Sequence, residues 1–196
     1  MAKQERSSRT HERFLDASAD EFVRHGYAGA NLQRIATDVG MTKGALYAHF
    51  PSKDALAAAF TSAFNRVGHE LLREVTEGDP PVKSLRHVTL GFMLRMQSDL
   101  RFRAGVRLAL DDGLAHQRVP AVVAELSAML TRLVGDAQEK EELTTRQCPE
   151  LISSLVIAVI FGAYCTAPAT GLDKGVERVR LLWQLLSLDA PGRAAP

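Results

Sequence analysis

The sequence predicts an all-α protein with a small three-helix unit at its N-terminus and a larger helical unit after it. Three observations carry this. Apolar residues recur at i, i+3, i+4 and i+7 along most of the 196 residues. No stretch alternates apolar and polar residues as a strand would. Glycine and proline punctuate the pattern where helices should end, at Gly26, Gly40, Pro51, Gly78-Asp-Pro-Pro81 and Gly171. The expected division is residues 1–53, residues 54–189, and a disordered tail over 190–196.

The elements follow in order. Phe14, Leu15, Ala19, Phe22 and Val23 make one face of a first helix, closed by His25-Gly26. Asn31 is a good N-cap, because its side-chain oxygen can accept from a free amide of the first turn. Leu32, Ile35, Ala36 and Val39 give the second helix an apolar face, and Gly40 can take the left-handed conformation that ends it. Thr42 caps a third helix only two residues later, with Leu46, Phe50 and Ala45 on its buried side. Pro51 breaks that helix and Ser52 caps the next. Leu56, Phe60, Phe64, Val67 and Leu71 mark a long helix from Lys53 to Thr76. Val82, Leu85, Val88, Phe92 and Met96 mark another. A short helix from Phe102 to Leu110 ends near Asp111-Asp-Gly113. Val122, Leu126, Met129, Leu130 and Leu133 mark the next. Thr144 is expected to cap a helix running to Cys165, apolar nearly all round between Leu151 and Cys165. After a break at Pro168 and Gly171, Val176, Val179, Trp183 and Leu186 give an amphipathic last helix.

Composition narrows the function. The net charge is only +1, and residues 1–53 hold 8 Lys/Arg against 6 Asp/Glu. That is too modest for a monomer that binds polyanions by charge alone. Residues 1–13 are polar and charged, unlike a signal peptide. The apolar run from Leu151 to Cys165 is interrupted by Ser153 and Ser154. It falls short of the roughly 20 residues that span a bilayer, so it is expected to be a buried core helix and no membrane partner is expected. Cys148 and Cys165 have no metal-ligand spacing, and the six histidines are scattered. There is no phosphate-binding glycine loop, no GxSxG and no spaced catalytic set. No metal and no cofactor are expected, and the chain is not expected to be an enzyme. A cytoplasmic location is expected.

Two short helices joined by a tight glycine turn, with a supporting helix upstream, form a helix-turn-helix, whose second helix is shaped to enter the major groove of DNA. On periodicity alone an ordinary three-helix packing unit fits as well. The residues are more specific. Gly26-Tyr27, Ile35-Ala36, Val39-Gly40, Thr42-Lys-Gly-Ala-Leu-Tyr47, His49-Phe50 and Ser52-Lys53 resemble the DNA-binding domain of TetR-family transcriptional repressors over residues 9–60. Within that family the chain is most similar to the γ-butyrolactone-receptor branch, which includes pseudo-receptors responding to antibiotics or their precursors.

The resemblance implies DNA-facing roles. Lys43 would reach a phosphate or a guanine edge, and Gly44 would let the backbone approach. Ala45 would touch a thymine methyl, and Tyr47 would place its hydroxyl on a phosphate. Thr42, His49, Lys53 and Arg9 in the N-terminal arm would contact phosphates, and Gln33 and Arg34 would also face DNA. The branch often has an aromatic residue between Tyr47 and His49, where this chain has Ala48. For Tyr47 and His49 a simple packing role stays open.

The apolar Leu151–Cys165 helix and the last helix are expected to pack on a second copy as a four-helix bundle, through Leu151, Leu155, Ile160, Val176, Val179, Trp183 and Leu186. The resemblance implies the same homodimer. Between the domains' tasks, an effector would be held among the central helices. Its expected lining is Thr89, Phe92, Met93, Met96, Val106, Leu110, Leu126, Met129, Leu130, Leu155, Val159 and Phe161. Gln97, Ser127 and Tyr164 would add polar contacts. Butyrolactone receptors usually carry a tryptophan shortly after a proline on a central helix. Here Pro120-Ala-Val-Val-Ala-Glu125 has no aromatic around Ala124, which favours a pseudo-receptor sensing a larger or flatter metabolite. The expected function is a homodimeric repressor that binds a quasi-palindromic, double-stranded operator and is released by a small apolar metabolite. A ligand-independent DNA-binding regulator and a small all-helical enzyme are the alternatives.

Overall fold

A computed structural model describes residues 2–76 and 78–187. The tail expected over 190–196 lies outside the described residues. Those described form helices α1 (Ala2–Gly29), α2 (Leu32–Asp38), α3 (Lys43–His49), α4 (Lys53–Arg73), α5 (Pro81–Ser98), α6 (Leu100–Ala115), α7 (Ala121–Glu139), α8 (Pro149–Thr170) and α9 (Leu172–Leu186). The protein is all-α. Among the described residues the contacts fall into two units: residues 2–67 with 99–120, and residues 68–76 and 78–98 with 121–187. Helix α4 therefore begins in the first unit and ends in the second. Helix α6 belongs with the N-terminal helices, which a division of the chain at 53/54 does not show.

The first unit is built around Phe14, Phe22, Ile35, Leu46, Phe50, Leu56 and Phe60, joined from α6 by Ala104 and Leu108. Helix α6 is tied to α1 near both ends. At one end the Arg101 guanidinium reaches Glu12 at 2.7 Å and Asp16 at 2.7 Å. At the other, Asp111 accepts the Tyr27 backbone N–H at 3.0 Å and the Arg107 guanidinium at 3.0 Å. Gly26 breaks the helical path of α1 here, with φ 63° and ψ −173°. A Cβ on Gly26 would stand 2.5 Å from the Asp111 carboxylate, so both the backbone and the neighbour require glycine.

The second unit packs α5 against α7 and α9, and α8 against α7 and α9. Val88, Phe92, Met93, Met96, Leu126, Leu130, Val156, Ile160, Val179 and Trp183 are among its fully or almost fully buried apolar residues. A polar contact crosses this core. Trp183 Nε1 donates to Thr89 Oγ1 at 2.8 Å, and Thr89 Oγ1 donates onward to the Leu85 carbonyl at 2.7 Å.

Two local expectations change. Thr144 does not cap α8: its N–H and hydroxyl both donate to the Leu186 carbonyl, at 2.8 and 3.1 Å, beside a bridge between Leu143 and Ser187. The helix starts five residues later, where Pro149 suits the first turn because its missing N–H would have no partner. It then runs through 168 to end at Gly171, φ 80°. Nor is α8 a buried core helix. Ile152, Val156, Ile160 and Ala163 are buried, while Leu151, Leu155, Ala158, Gly162 and Cys165 face out. Pro149–Ala167, 19 residues, is long and apolar enough to cross a membrane by length and composition, although the isolated run of apolar letters looked shorter.

Replacing Thr89 by Val should leave the buried Trp183 N–H without an acceptor and cost about 1–3 kcal/mol. Trp183 is the sole tryptophan, so urea unfolding followed by its emission measures the loss directly.

Candidate nucleic-acid interface

The recognition segment is made by local hydrogen bonds. Asn31 Oδ1 accepts from the Gln33 N–H at 2.8 Å and the Arg34 N–H at 3.4 Å, which starts α2. At the other end Gly40 N–H and Met41 N–H return to the Thr37 and Ala36 carbonyls, both at 2.9 Å. Gly40 has φ 68°, the left-handed value that this reversal needs. Thr42 Oγ1 then accepts from the Ala45 N–H at 3.1 Å and opens α3. Ser52 Oγ accepts from the Ala55 N–H at 3.0 Å and opens α4.

Helix α3 buries Leu46, and Phe50 closes it from the C-cap position. Its outer side shows Lys43, Gly44, Tyr47 and Ala48. Tyr47 is 43% exposed, with the Lys43 ammonium 5.6 Å from its ring centroid, so cation and ring form one projecting pair. A Cβ on Gly44 would meet nothing nearer than Thr42 Oγ1 at 3.7 Å, an ordinary contact. The domain itself therefore does not demand glycine there. Ala45 is half-buried.

The other residues assigned to DNA lie differently. Arg9 is exposed, but it sits within α1 and not on an extended arm. Gln33 is exposed, and its carbonyl accepts the Thr37 hydroxyl at 2.9 Å. His49 is half-buried, its ring 5.6 Å from Phe14 and 5.8 Å from His11, in a packing position. Arg34 Nε reaches both oxygens of Glu21, at 3.0 and 2.8 Å. Lys53 Nζ donates to the Ala30 carbonyl at 2.7 Å and lies 4.8 Å from the Tyr27 ring centroid.

Sequence reasoning missed Glu21 and Arg13. Glu21 is only 4% exposed, and it also accepts the Asn31 N–H at 2.8 Å. Its signal was a carboxylate on the same α1 face as Phe14, Ser18 and Phe22. The Arg34 guanidinium, with the Asn31 N–H, holds the Glu21 carboxyl below the usual carboxylate range against the opposing effect of burial. Arg13 donates to the Val39 carbonyl at 2.7 Å, pinning α1 to the end of α2. No periodicity signals that contact.

In the first unit, Val106 is buried and Leu110 half-buried. In the second, Thr89, Phe92, Met93, Met96, Leu126 and Leu130 are buried, and Met129, Val159 and Phe161 half-buried. Thr89 is already bonded to Trp183, and Leu155 is 50% exposed, on the surface of its unit. Of the residues assigned to a dimer interface, Ile160, Val176, Val179 and Trp183 lie in the protomer's own core. The apolar face of α9 that the sequence pattern marks is the face turned inward. The outward apolar residues are Leu151 and Leu155 on α8, with Leu181 and Leu185 on α9, the last at 76% exposure.

A short, capped helix that projects Lys43 and Tyr47 from a three-helix scaffold defines a helix-turn-helix protein of the DNA-binding class. Residues 14–60 match the family of bacterial regulatory proteins of the tetR type. Over those residues the chain carries the N-terminal domain of TetR-family regulators. It is 29% identical to the A-factor receptor protein of Streptomyces griseus, over 98% of this chain and 68% of that protein. It is 25% identical to the HTH-type transcriptional regulator UidR of Escherichia coli strain K12, over 84% of this chain and 85% of that protein. Among solved structures, a gamma-butyrolactone receptor described as an ArpA-like protein superposes with a TM-score of 0.66 at 27% identity. That match covers 91% of this chain and 98% of the other.

Because the Glu21 carboxyl is held low, its stabilising contribution is present at neutral pH and is lost as pH falls through its folded value. Glu21→Gln should therefore melt below the parent at pH 7. The gap should narrow once pH drops below about 4.5, where the unfolded carboxylate begins to protonate. Thermal melts across pH 2–7 by circular dichroism check this.

Proposed function

We propose that the chain is a homodimeric repressor whose two α3 helices read adjacent major grooves of a quasi-palindromic operator. A small apolar metabolite bound in the second unit would release it. The carrying observation is the pairing of a projecting Lys43–Tyr47 helix with an uncovered apolar face on α8 and α9. The α8 residues of that face, Leu151, Leu155, Ala158, Gly162 and Cys165, recur every three to four positions, as one helix seam packed on another requires. With a net charge of +1, a single copy has little electrostatic hold on DNA. Two copies, spaced by one helical turn, double the contacts.

The effector class rests on the names of the relatives, an A-factor receptor and a gamma-butyrolactone receptor, and on the apolar side chains of the second unit. Phe92, Met93, Met96, Leu126 and Leu130, buried in the second unit, would supply an apolar lining, with the half-buried Met129, Val159 and Phe161 nearer its edge. The absence of an aromatic around Ala124 favours an antibiotic or a biosynthetic intermediate over a butyrolactone signal. Release requires the metabolite to bind the DNA-incompetent state more tightly than the competent one, with α4 linking the two units. A cytoplasmic regulator of secondary metabolism fits this reading.

A mobility-shift assay on DNA upstream of the chain's own gene, with and without culture extract, tests it. A specific shift relieved by extract is the expected result. A specific shift indifferent to extract would overturn the sensing role and leave a ligand-independent regulator. Lys43→Ala combined with Tyr47→Ala should abolish the specific shift while circular dichroism stays unchanged. Leu155→Glu with Leu185→Glu should give a folded monomer by light scattering, since both residues are on the surface of the protomer.

A further inference from the structure

Arg34 and Lys53 stand where a DNA-facing cation is expected, yet both are engaged with the short connection between α1 and α2. That connection has polar backbone groups with no helical partner, and such groups need one. Lys53 Nζ donates to the Ala30 carbonyl at 2.7 Å and to the Ala28 carbonyl at 3.4 Å. Arg34 Nη2 lies 3.5 Å from the Gly29 carbonyl. The Asn31 N–H goes to Glu21, the same carboxylate that holds Arg34 Nε through both oxygens. Four consecutive residues are thus gripped by the first turn of α2, the first turn of α4 and a buried group on α1. Drawing Arg34 away to a phosphate would leave the Glu21 carboxylate buried and without its countercharge.

We propose that Arg34 and Lys53 are positioning residues, which lock the α1–α2 connection and so fix the angle at which α3 is presented, and that neither contacts DNA phosphate. The proposal rests on the DNA-binding reading of α3. The chemistry of each cation fits the task. The planar guanidinium of Arg34 matches a carboxylate side-on, and an ammonium suits helix-end carbonyls. Lys53 is further steered by the Tyr27 ring, whose hydroxyl donates to Asp54 on the first turn of α4.

The salt dependence of binding separates positioning from phosphate contact. The probe is a duplex recovered from a random pool by the wild-type protein, with affinity measured over a series of salt concentrations. Losing one phosphate contact from each protomer of a bound dimer lowers the slope of log affinity against log salt by about 1.8, at about 0.9 per contact. Arg34→Gln and Lys53→Gln should each weaken binding about tenfold or more and leave the slope unchanged. Glu21→Gln should weaken binding as Arg34→Gln does, and the double variant should be no weaker than either single one. Arg34→Lys, which keeps the charge but not the two-point match, should not restore affinity.

A slope lowered by about two for Arg34→Gln or Lys53→Gln, one contact in each half-site, would overturn the proposal. So would unchanged affinity, rescue by Arg34→Lys, or tighter binding by Glu21→Gln through a freed Arg34. Circular dichroism at the assay temperature verifies folding. Should Arg34→Gln be unfolded there, Glu21→Gln decides for Arg34, and Lys53→Gln decides for Lys53. If Lys43→Ala with Tyr47→Ala retains specific binding, it is the reading of α3 that fails, a result distinct from any of these.

Discussion

Helices α2 and α3 are seven residues each, about two turns, and an isolated helix shorter than roughly 12–15 residues does not hold in water. Everything else in the first unit answers that constraint. Caps at Asn31 and Thr42 satisfy first-turn amides, and the Gly40 reversal satisfies the end of α2. Ile35, Leu46 and Phe50 are buried against Phe14 and Phe22 of α1 and Leu56 and Phe60 of α4. Two polar contacts span these elements, Glu21 with Arg34 and Arg13 with the Val39 carbonyl. The projecting side of α3 needs none of these contacts, which leaves Lys43 and Tyr47 outward.

The same economy explains α6. It follows α5 in the chain, but its small residues let it lie close to the N-terminal helices. A Cβ on Gly105 would come within 2.6 Å of the Phe60 carbonyl oxygen. Charges then fix its register: Arg101 on Glu12 and Asp16 at one end, Asp111 on the Tyr27 amide at the other. Helix α6 thus belongs to the unit that carries α3. Exposed ion pairs of this kind contribute little stability individually.

The second unit shows what a single chain leaves undone. Its core is closed by α5, α7, α8 and α9, with the Trp183–Thr89 bond as its one buried tie between indole and hydroxyl. Once Ile152, Val156, Ile160 and Ala163 are covered, α8 still has exposed apolar residues, and Leu181 and Leu185 are exposed on α9. An apolar surface of that extent on two neighbouring helices is a feature of association sites.

What the sequence determined by itself was local. The all-α class, the ends of α2 and α3, and the caps at Asn31, Thr42 and Ser52 were legible because each depends on residues within four positions. Lys43 and Tyr47 were legible as outward because Leu46 and Phe50 define the opposite side of the same short helix. Tertiary structure decided whatever depends on which faces meet. Arg34 and Lys53 read as free cations until Glu21 and the Ala28–Asn31 carbonyls and amide were placed beside them. Trp183 and Val179 read as a surface for a second copy, because an amphipathic pattern identifies an apolar face without naming its partner. Thr144 read as a cap until the Leu186 carbonyl, distant in sequence, took its N–H and hydroxyl. The physical reason is the same in each case. Helix signals are set by neighbours along the chain, whereas charge pairing and burial are set by neighbours in space.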